Sequence, residues 1–238
     1  MPDKRPLLAV LIDADNTSPK HARAIFEEIA AHGEASVRRV YGDFSSTQMK
    51  GWSQVQAEFG LVPFHQPANT VGKNASDIAL VIDAMDLLHS NRFDGFVLVS
   101  SDSDFTRLAS RIREQGLDVY GIGKETTPQA FRQACKRFIY FENISASHEA
   151  GEKPDQPRPS KSRPLNEARD LILKAMDGLD PEDDWYTLGQ LGQYLTAANP
   201  DFDTRTYGKK KLSELVEAIR IFQTRRSPSN QFQVRRLD

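Results

Sequence analysis

An α/β domain built on a parallel sheet, followed by a second and smaller winged-helix domain, is the fold class that this sequence predicts. Three observations carry that expectation. Short apolar runs alternate with helix-length amphipathic stretches from Leu7 to about Phe141, a proline-rich polar tract follows, and helical periodicity then returns before two brief β-like runs.

Leu7–Ile12 is a continuous apolar run of strand length that stops at an aspartate. It is too short for a membrane span or a signal-peptide core and reads as a buried strand. Further strands are expected at Ser36–Tyr41, Leu61–Phe64, Gly95–Val99, Asp118–Ile122 and Phe138–Phe141. Between them, Pro19–Ala31, Thr47–Phe59, Ser76–His89 and Phe105–Gln115 have helical patterning, and Gly33, Gly60 and Gly116 offer left-handed residues to close helices. Alternation of this kind builds βαβ units.

After Asn143 the composition changes. Ser145 to Pro164 contains Pro154, Pro157, Pro159 and Pro164 among Ser, Lys, Glu and Gly, with too little apolar surface to order itself. The expected division is therefore a first domain over residues 1–144, a flexible linker over 145–164 and a second domain over 165–238. In the last, Leu165–Met176, Leu188–Ala197 and Tyr207–Ala218 have helical periodicity. Ile221–Gln223 and Phe232–Val234 then flank the turn residues Ser227, Pro228, Ser229 and Asn230, and three helices with a hairpin make a winged-helix shape. No internal repeat is visible.

With 238 residues, 39% of them hydrophobic, the chain can bury one full core and a second small one. The formal net charge of −2 excludes a global basic field, so any nucleic-acid surface must be local. Cys135 is the only cysteine, which excludes an intramolecular disulfide and a cysteine-rich zinc site and fits a reducing, cytoplasmic setting.

Ligands of an open parallel sheet bind beyond the carboxyl ends of its strands, near the point where strand order reverses. Asp13 and Asp15 follow the first expected strand, Asp43 the second, and Asp102 and Asp104 the fourth. Asp77 opens the helix Ser76–His89 and aims its first turn at the same edge. Gathered carboxylates raise one another's pKa unless a cation neutralises them. Without a cysteine pair or a His-x-x-x-His spacing, oxygen ligands point to Mg²⁺ or Mn²⁺, and such an ion in an acidic crevice implies phosphodiester hydrolysis. The plain alternative is capping, since Asp77 and Asp104 each precede an apolar helical run. Only one of Asp13 and Asp15 need point inward, and Asp83 and Asp86, on other helix faces than Asp77, read as solvated.

Leu11–Ile12–Asp13–Ala14–Asp15–Asn16, Lys73–Asn74–Ala75–Ser76–Asp77 and Val99–Ser100–Ser101–Asp102–Ser103–Asp104–Phe105 together resemble the NYN domain of the PIN-like ribonuclease superfamily, over about Leu7 to Phe141. The resemblance implies a Rossmann-like sheet and a metal-dependent ribonuclease. Asp13, Asp77, Asp102 and Asp104 would be its metal-site acids and Asn16 their support, while Lys73 faces a phosphate or is simply solvated. The same Asp13–Ala14–Asp15 segment also resembles the first motif of haloacid-dehalogenase-type phosphatases, with Asp13 as nucleophile and Asp15 as general acid. Ser100 and Lys124 would imitate its next two stations, but that chemistry needs a late acidic pair after the lysine, and only Glu125 and Glu142 are available. A non-catalytic RNA-binding or scaffold protein that keeps the fold is the other alternative.

Trp185 to Gly192, Asn199 to Asp203 and Tyr207–Gly208 resemble the OST-HTH or LOTUS domain, a winged helix that implies RNA or protein partners. From Arg205 to Leu237 nine basic residues face two acidic ones. Lys209, Lys210, Lys211, Arg225 and Arg226, with Tyr207, Phe222 and Phe232 interleaved, are the expected RNA-binding residues, the alternative being a solvated lysine run. No membrane contact is expected, and the oligomeric state is left open.

Overall fold

The structure, a computed structural model, describes residues 5–44, 50–65, 75–149, 162–179 and 184–237. The chain divides into two compact units, Met1–Glu152 and Lys153–Asp238.

The first unit runs β1 (Leu7–Asp13), α1 (Ala22–Ala30), β2 (Glu34–Gly42), α2 (Lys50–Phe59), β3 (Val62–His65), α3 (Ala75–His89), β4 (Gly95–Val99), α4 (Thr106–Glu114), β5 (Asp118–Gly123), α5 (Gln129–Ala134), β6 (Arg137–Tyr140) and α6 (Phe141–Glu149). All six strands pair in parallel, in the order β3-β2-β1-β4-β5-β6. Strand periodicity divides β1 between two cores. Leu8, Val10 and Ile12 pack with Ile25 and Ile29 of α1, Trp52 of α2 and Ile144 of α6. Ala9 and Leu11 face Leu80 and Ala84 of α3, Leu108 of α4 and Phe131 of α5. Helices thus cover both faces, and β1 and β4 can be apolar throughout. Because β1 connects outward to β2 while β4 returns beside β1, strand order reverses between these two, where Ile12 lies opposite Val99. Their next residues, Asp13 and Ser100, open the crevice.

The expected strands and first-unit helices all form, with ends displaced by a few residues. α5 and α6 were not expected. α5 has six residues and one buried side chain, Phe131, too short a pattern to register. α6 continues the apolar run of β6 through Phe141 and Ile144 and reaches Glu149, inside the stretch read as linker; residues 150–161 lie outside the described residues. Gly60 and Gly116 are left-handed, at φ 61° and 79°, but Gly33 is not. Gly33 is required for space: a Cβ there would stand 2.5 Å from the Pro6 carbonyl oxygen and 2.8 Å from Leu8 Cδ1.

The second unit comprises α7 (Leu165–Asp177), β7 (Tyr186–Thr187), α8 (Leu188–Ala198), α9 (Leu212–Ala218), β8 (Phe222–Arg226) and β9 (Phe232–Arg236), with the sheet order β7-β9-β8. Ala168 and Ile172 of α7, Leu191 and Leu195 of α8, Leu215 and Val216 of α9, and Val234 of β9 form its core. The third expected helix is broken. A short 3-10 turn at Thr204–Tyr207 ends at left-handed Gly208, and α9 begins only after Lys211. Tyr207 and Phe222 are core residues, so they do not interleave with the basic residues on the surface as expected.

Candidate functional site

Asp13 ends β1 almost completely buried, at 1% exposure. Its Oδ1 accepts the backbone N–H groups of Asp15 (3.1 Å) and Asn16 (3.2 Å), and its Oδ2 accepts Asn16 Nδ2 (2.8 Å) and Ser100 Oγ (2.6 Å). Burial raises the Asp13 carboxyl above the ordinary range, while the hydrogen bonds from Ser100 and Asn16 oppose the rise. Ser100 is fully buried and also accepts the backbone N–H of Asp102 at 3.0 Å, which ties the loop after β4 to the end of β1. Asp102 then caps the 3-10 turn Ser103–Phe105, its Oδ1 accepting Asp104 N–H at 2.8 Å. Capping therefore falls to Asp102, and Asp104 is exposed.

Asp77 lies in the first turn of α3. Its carboxyl is pushed up to about 6, first by burial and then by the negative charges of Asp13, Asp102, Asp15 and Asp104. Five carboxylates thus share one electrostatic neighbourhood at the β1/β4 switch point. Asp15 is exposed and accepts Ser76 Oγ at 2.7 Å, joining the loop after β1 to α3. Asp83 is not solvated as expected. It forms an ion pair with Arg39 and accepts the hydroxyl of Tyr41, whose own ionisation burial and Asp83 suppress. Asp86 is exposed, and Lys73 lies outside the described residues.

The donor set suits a hard divalent cation: carboxylate oxygens, with neutral hydroxyl and amide groups behind them. Among the described residues, however, no three Asp, Glu, His or Cys side chains are disposed to hold a metal ion together. Ser76 was not singled out from the sequence as a member of this site, and Ser100 was named there only as a station of the phosphatase-type alternative, not as a partner of Asp13.

The basic residues of the second unit occupy two settings. Lys210 and Lys211 are exposed and Lys209 half-buried in the segment before α9, with the Lys210 backbone N–H bound to Glu214. Arg225 lies 3.9 Å from the centre of the Trp185 ring and donates to Gln233. Arg235 lies 4.9 Å from the same ring and donates to Gln223. Arg226 covers Phe232 and donates to Asn230. These guanidiniums hold the hairpin together as well as charging it. Among the described residues, no helix is long and apolar enough to cross a membrane.

The fold is an α/β domain with a Rossmann-like parallel sheet, its acids gathered at the switch point. The NYN domain family model matches residues 7–145 and the OST-HTH/LOTUS domain model matches residues 160–234. The chain belongs to the NYN domain family and has an OST-HTH/LOTUS domain after the NYN domain. Six chains of solved structures match, among them the following two. A protein of unknown function from Vibrio parahaemolyticus is 19% identical, with 59% of this chain and 95% of that one covered and a TM-score of 0.49. An uncharacterized protein from Nitrosomonas europaea is 33% identical, with 36% of this chain and 90% of that one covered and a TM-score of 0.27. No curated protein matches the chain.

Proposed function

We propose that the first unit is a metal-dependent ribonuclease that hydrolyses RNA phosphodiester bonds, and that the second supplies affinity for RNA. The observation that carries this reading is the gathering of acids at the β1/β4 switch point: Ser100 ties Asp102 to Asp13, and Asp77 in the first turn of α3 has its carboxyl raised to about 6, first by burial and then by the charges of Asp13, Asp102, Asp15 and Asp104. Mutual repulsion of this kind is costly for a loop and useful for a cation site. Asp13, Asp77, Asp102 and Asp104 would hold Mg²⁺ or Mn²⁺. That ion, when bound, polarises a phosphoryl oxygen and makes a water more acidic.

The chain's own residues do the positioning. Asn16 and Ser100 fix the rotamer of Asp13 through its Oδ2, and Ser100 sets Asp102 relative to it. Asp77 enters from α3, so its approach to Asp13 depends on the packing of that helix against the sheet.

Cleavage of labelled RNA by the full chain in Mn²⁺, Mg²⁺ or EDTA, beside Asp77→Asn, tests the reading. Asp77 is the better probe than Asp13, because Asp13 also satisfies four hydrogen bonds of the fold. The expected result is cleavage with metal, none in EDTA, and a loss of about 100-fold or more in Asp77→Asn. Among the described residues no three acidic, histidine or cysteine side chains are disposed to hold a metal ion together, which favours a second reading, a non-catalytic RNA-binding protein that keeps the fold. RNA binding without cleavage in any metal would establish that alternative.

A further inference from the structure

Beside the acidic crevice, across the loop Ala14–Thr17, lies a cavity of about 570 Å³. Its volume falls within the range of small-ligand sites. Asp15 and Asn16 line it, so it opens next to the crevice, yet its other walls differ in chemistry. Lys20 and Lys124 bring two ammonium groups, both exposed, and neither makes an ion pair among the described residues. The two acids on its walls, Asp15 and Glu142, keep their charge but are held by neutral donors. Both oxygens of Glu142 accept the backbone N–H of Glu125, at 3.2 and 3.1 Å, and Asp15 accepts Ser76. Lys124 is set in place by its own backbone N–H, which donates to Ser101 Oγ at 2.9 Å in the loop that leads to Asp102.

Flat aromatic surface accompanies these cations. His21 stacks on Phe141 with ring centres 4.7 Å apart and an angle of 15° between planes, and its Nδ1 lies 2.9 Å from Ser145 Oγ. Burial, then Lys20, push the imidazole below its ordinary pKa, so the ring is neutral at pH 7 and can stack without repelling the lysines. Phe141 and Trp52, at 4% and 1% exposure, are buried and form the apolar floor, so the half-buried His21 ring is the aromatic surface the cavity offers. Two exposed cations, without an ion pair among the described residues, beside a half-buried imidazole ring suit a phosphate joined to a planar base.

We propose that this cavity is a nucleotide subsite. It takes one ribonucleotide unit of single-stranded RNA, with its phosphate between Lys20 and Lys124 and its base against the His21–Phe141 stack, and leads the neighbouring phosphodiester to the acids. The proposal rests on the ribonuclease reading for its substrate, but nucleotide binding can be measured without cleavage. A base must be unstacked to enter, so duplex RNA is excluded.

The test is calorimetric titration of the full chain in EDTA with the four ribonucleoside 5′-monophosphates, the matching nucleosides and inorganic phosphate. At least one mononucleotide should bind about tenfold or more tightly than its nucleoside and than phosphate. Lys20→Ala with Lys124→Ala should weaken that binding about tenfold or more, both side chains being exposed and so removable without emptying the core. Failure of all four mononucleotides to bind, phosphate binding as tightly as a mononucleotide, or binding untouched by the double lysine variant would each overturn the subsite. Nucleotide binding without RNA cleavage in Mn²⁺ would keep the subsite and remove the nuclease. Cleavage with kcat and KM unaltered by the lysine variant would keep the nuclease and remove the subsite.

Discussion

Asp77 is the residue at which charge and stability oppose each other most directly. Its carboxyl stands at about 6 against an ordinary 3.8, so between about pH 4 and pH 6 the folded chain holds this proton more firmly than the unfolded chain. The resulting stabilisation is present at low pH and is lost as pH rises through that window. In EDTA at pH 7, Asp77→Asn should therefore be more stable than the parent, by about 1 kcal/mol once partial solvent exposure is discounted. Urea titrations should show the gap closing by pH 4, and a variant less stable at pH 7 would contradict the repulsion. Ser100→Ala should act oppositely. It leaves Asp13 Oδ2 and the Asp102 N–H each short of a partner in a buried place, for a loss of about 1–3 kcal/mol in the same titration. Asp13 and Asp102 were legible because each follows an apolar strand. The positioning role of Ser100 was not, because its hydrogen bond to Asp13 joins the ends of two strands 87 residues apart in sequence. The ion pair of Asp83 with Arg39 was hidden too, since it depends on how α3 packs across β2.

Among the elements, the glycines separate two physical demands that look alike in sequence. Gly116 is left-handed with nothing near its absent Cβ, so Gly116→Ala should cost about 1–2 kcal/mol in backbone strain alone. Gly33→Ala meets a carbonyl oxygen and the side chain of Leu8 where β2 starts beside β1, and overpacking at a strand start should cost about 1–3 kcal/mol. Midpoints of thermal unfolding for the two variants should each fall, and crystallographic or NMR shifts at Pro6 and Leu8 should appear only for Gly33→Ala. Strands buried on both faces were the clearest elements, because a continuous apolar run leaves little else for the chain to do. α6 was missed because polar, proline-bearing sequence begins within it. The lysines before α9 were assigned to a helix because periodicity passes over Gly208, whose left-handed backbone breaks it.

For the whole molecule, the proposed division of labour predicts separable kinetic effects. Each phosphate neutralised by lysine or arginine releases counterions, so affinity through the second unit should fall steeply with salt, whereas chemistry in the acidic crevice should not. Removing residues 162–238 should raise the RNA concentration needed for half-maximal rate and leave the rate at saturation largely intact. Neutralising Lys209, Lys210 and Lys211 together should flatten the salt dependence by up to about three phosphate equivalents, as read from binding titrations at several salt concentrations. Unchanged RNA affinity and salt slope in the truncated chain would assign the LOTUS domain to a protein partner instead. That choice was not legible in the sequence, where charge could be counted but Tyr207 and Phe222 could not be seen to face inward.

The chain has two tryptophans, and the fold has placed one in each unit: Trp52 under α1 and α6, and Trp185 between the guanidiniums of Arg225 and Arg235. Each indole is therefore a private optical reporter. With Trp52→Phe, emission would follow only the hairpin of the second unit. With Trp185→Phe, it would follow only the nuclease-type unit and the floor of the cavity beside its acids. Denaturation curves of the two variants would separate if the units melt independently, and nucleotide titrations would move one signal and leave the other still.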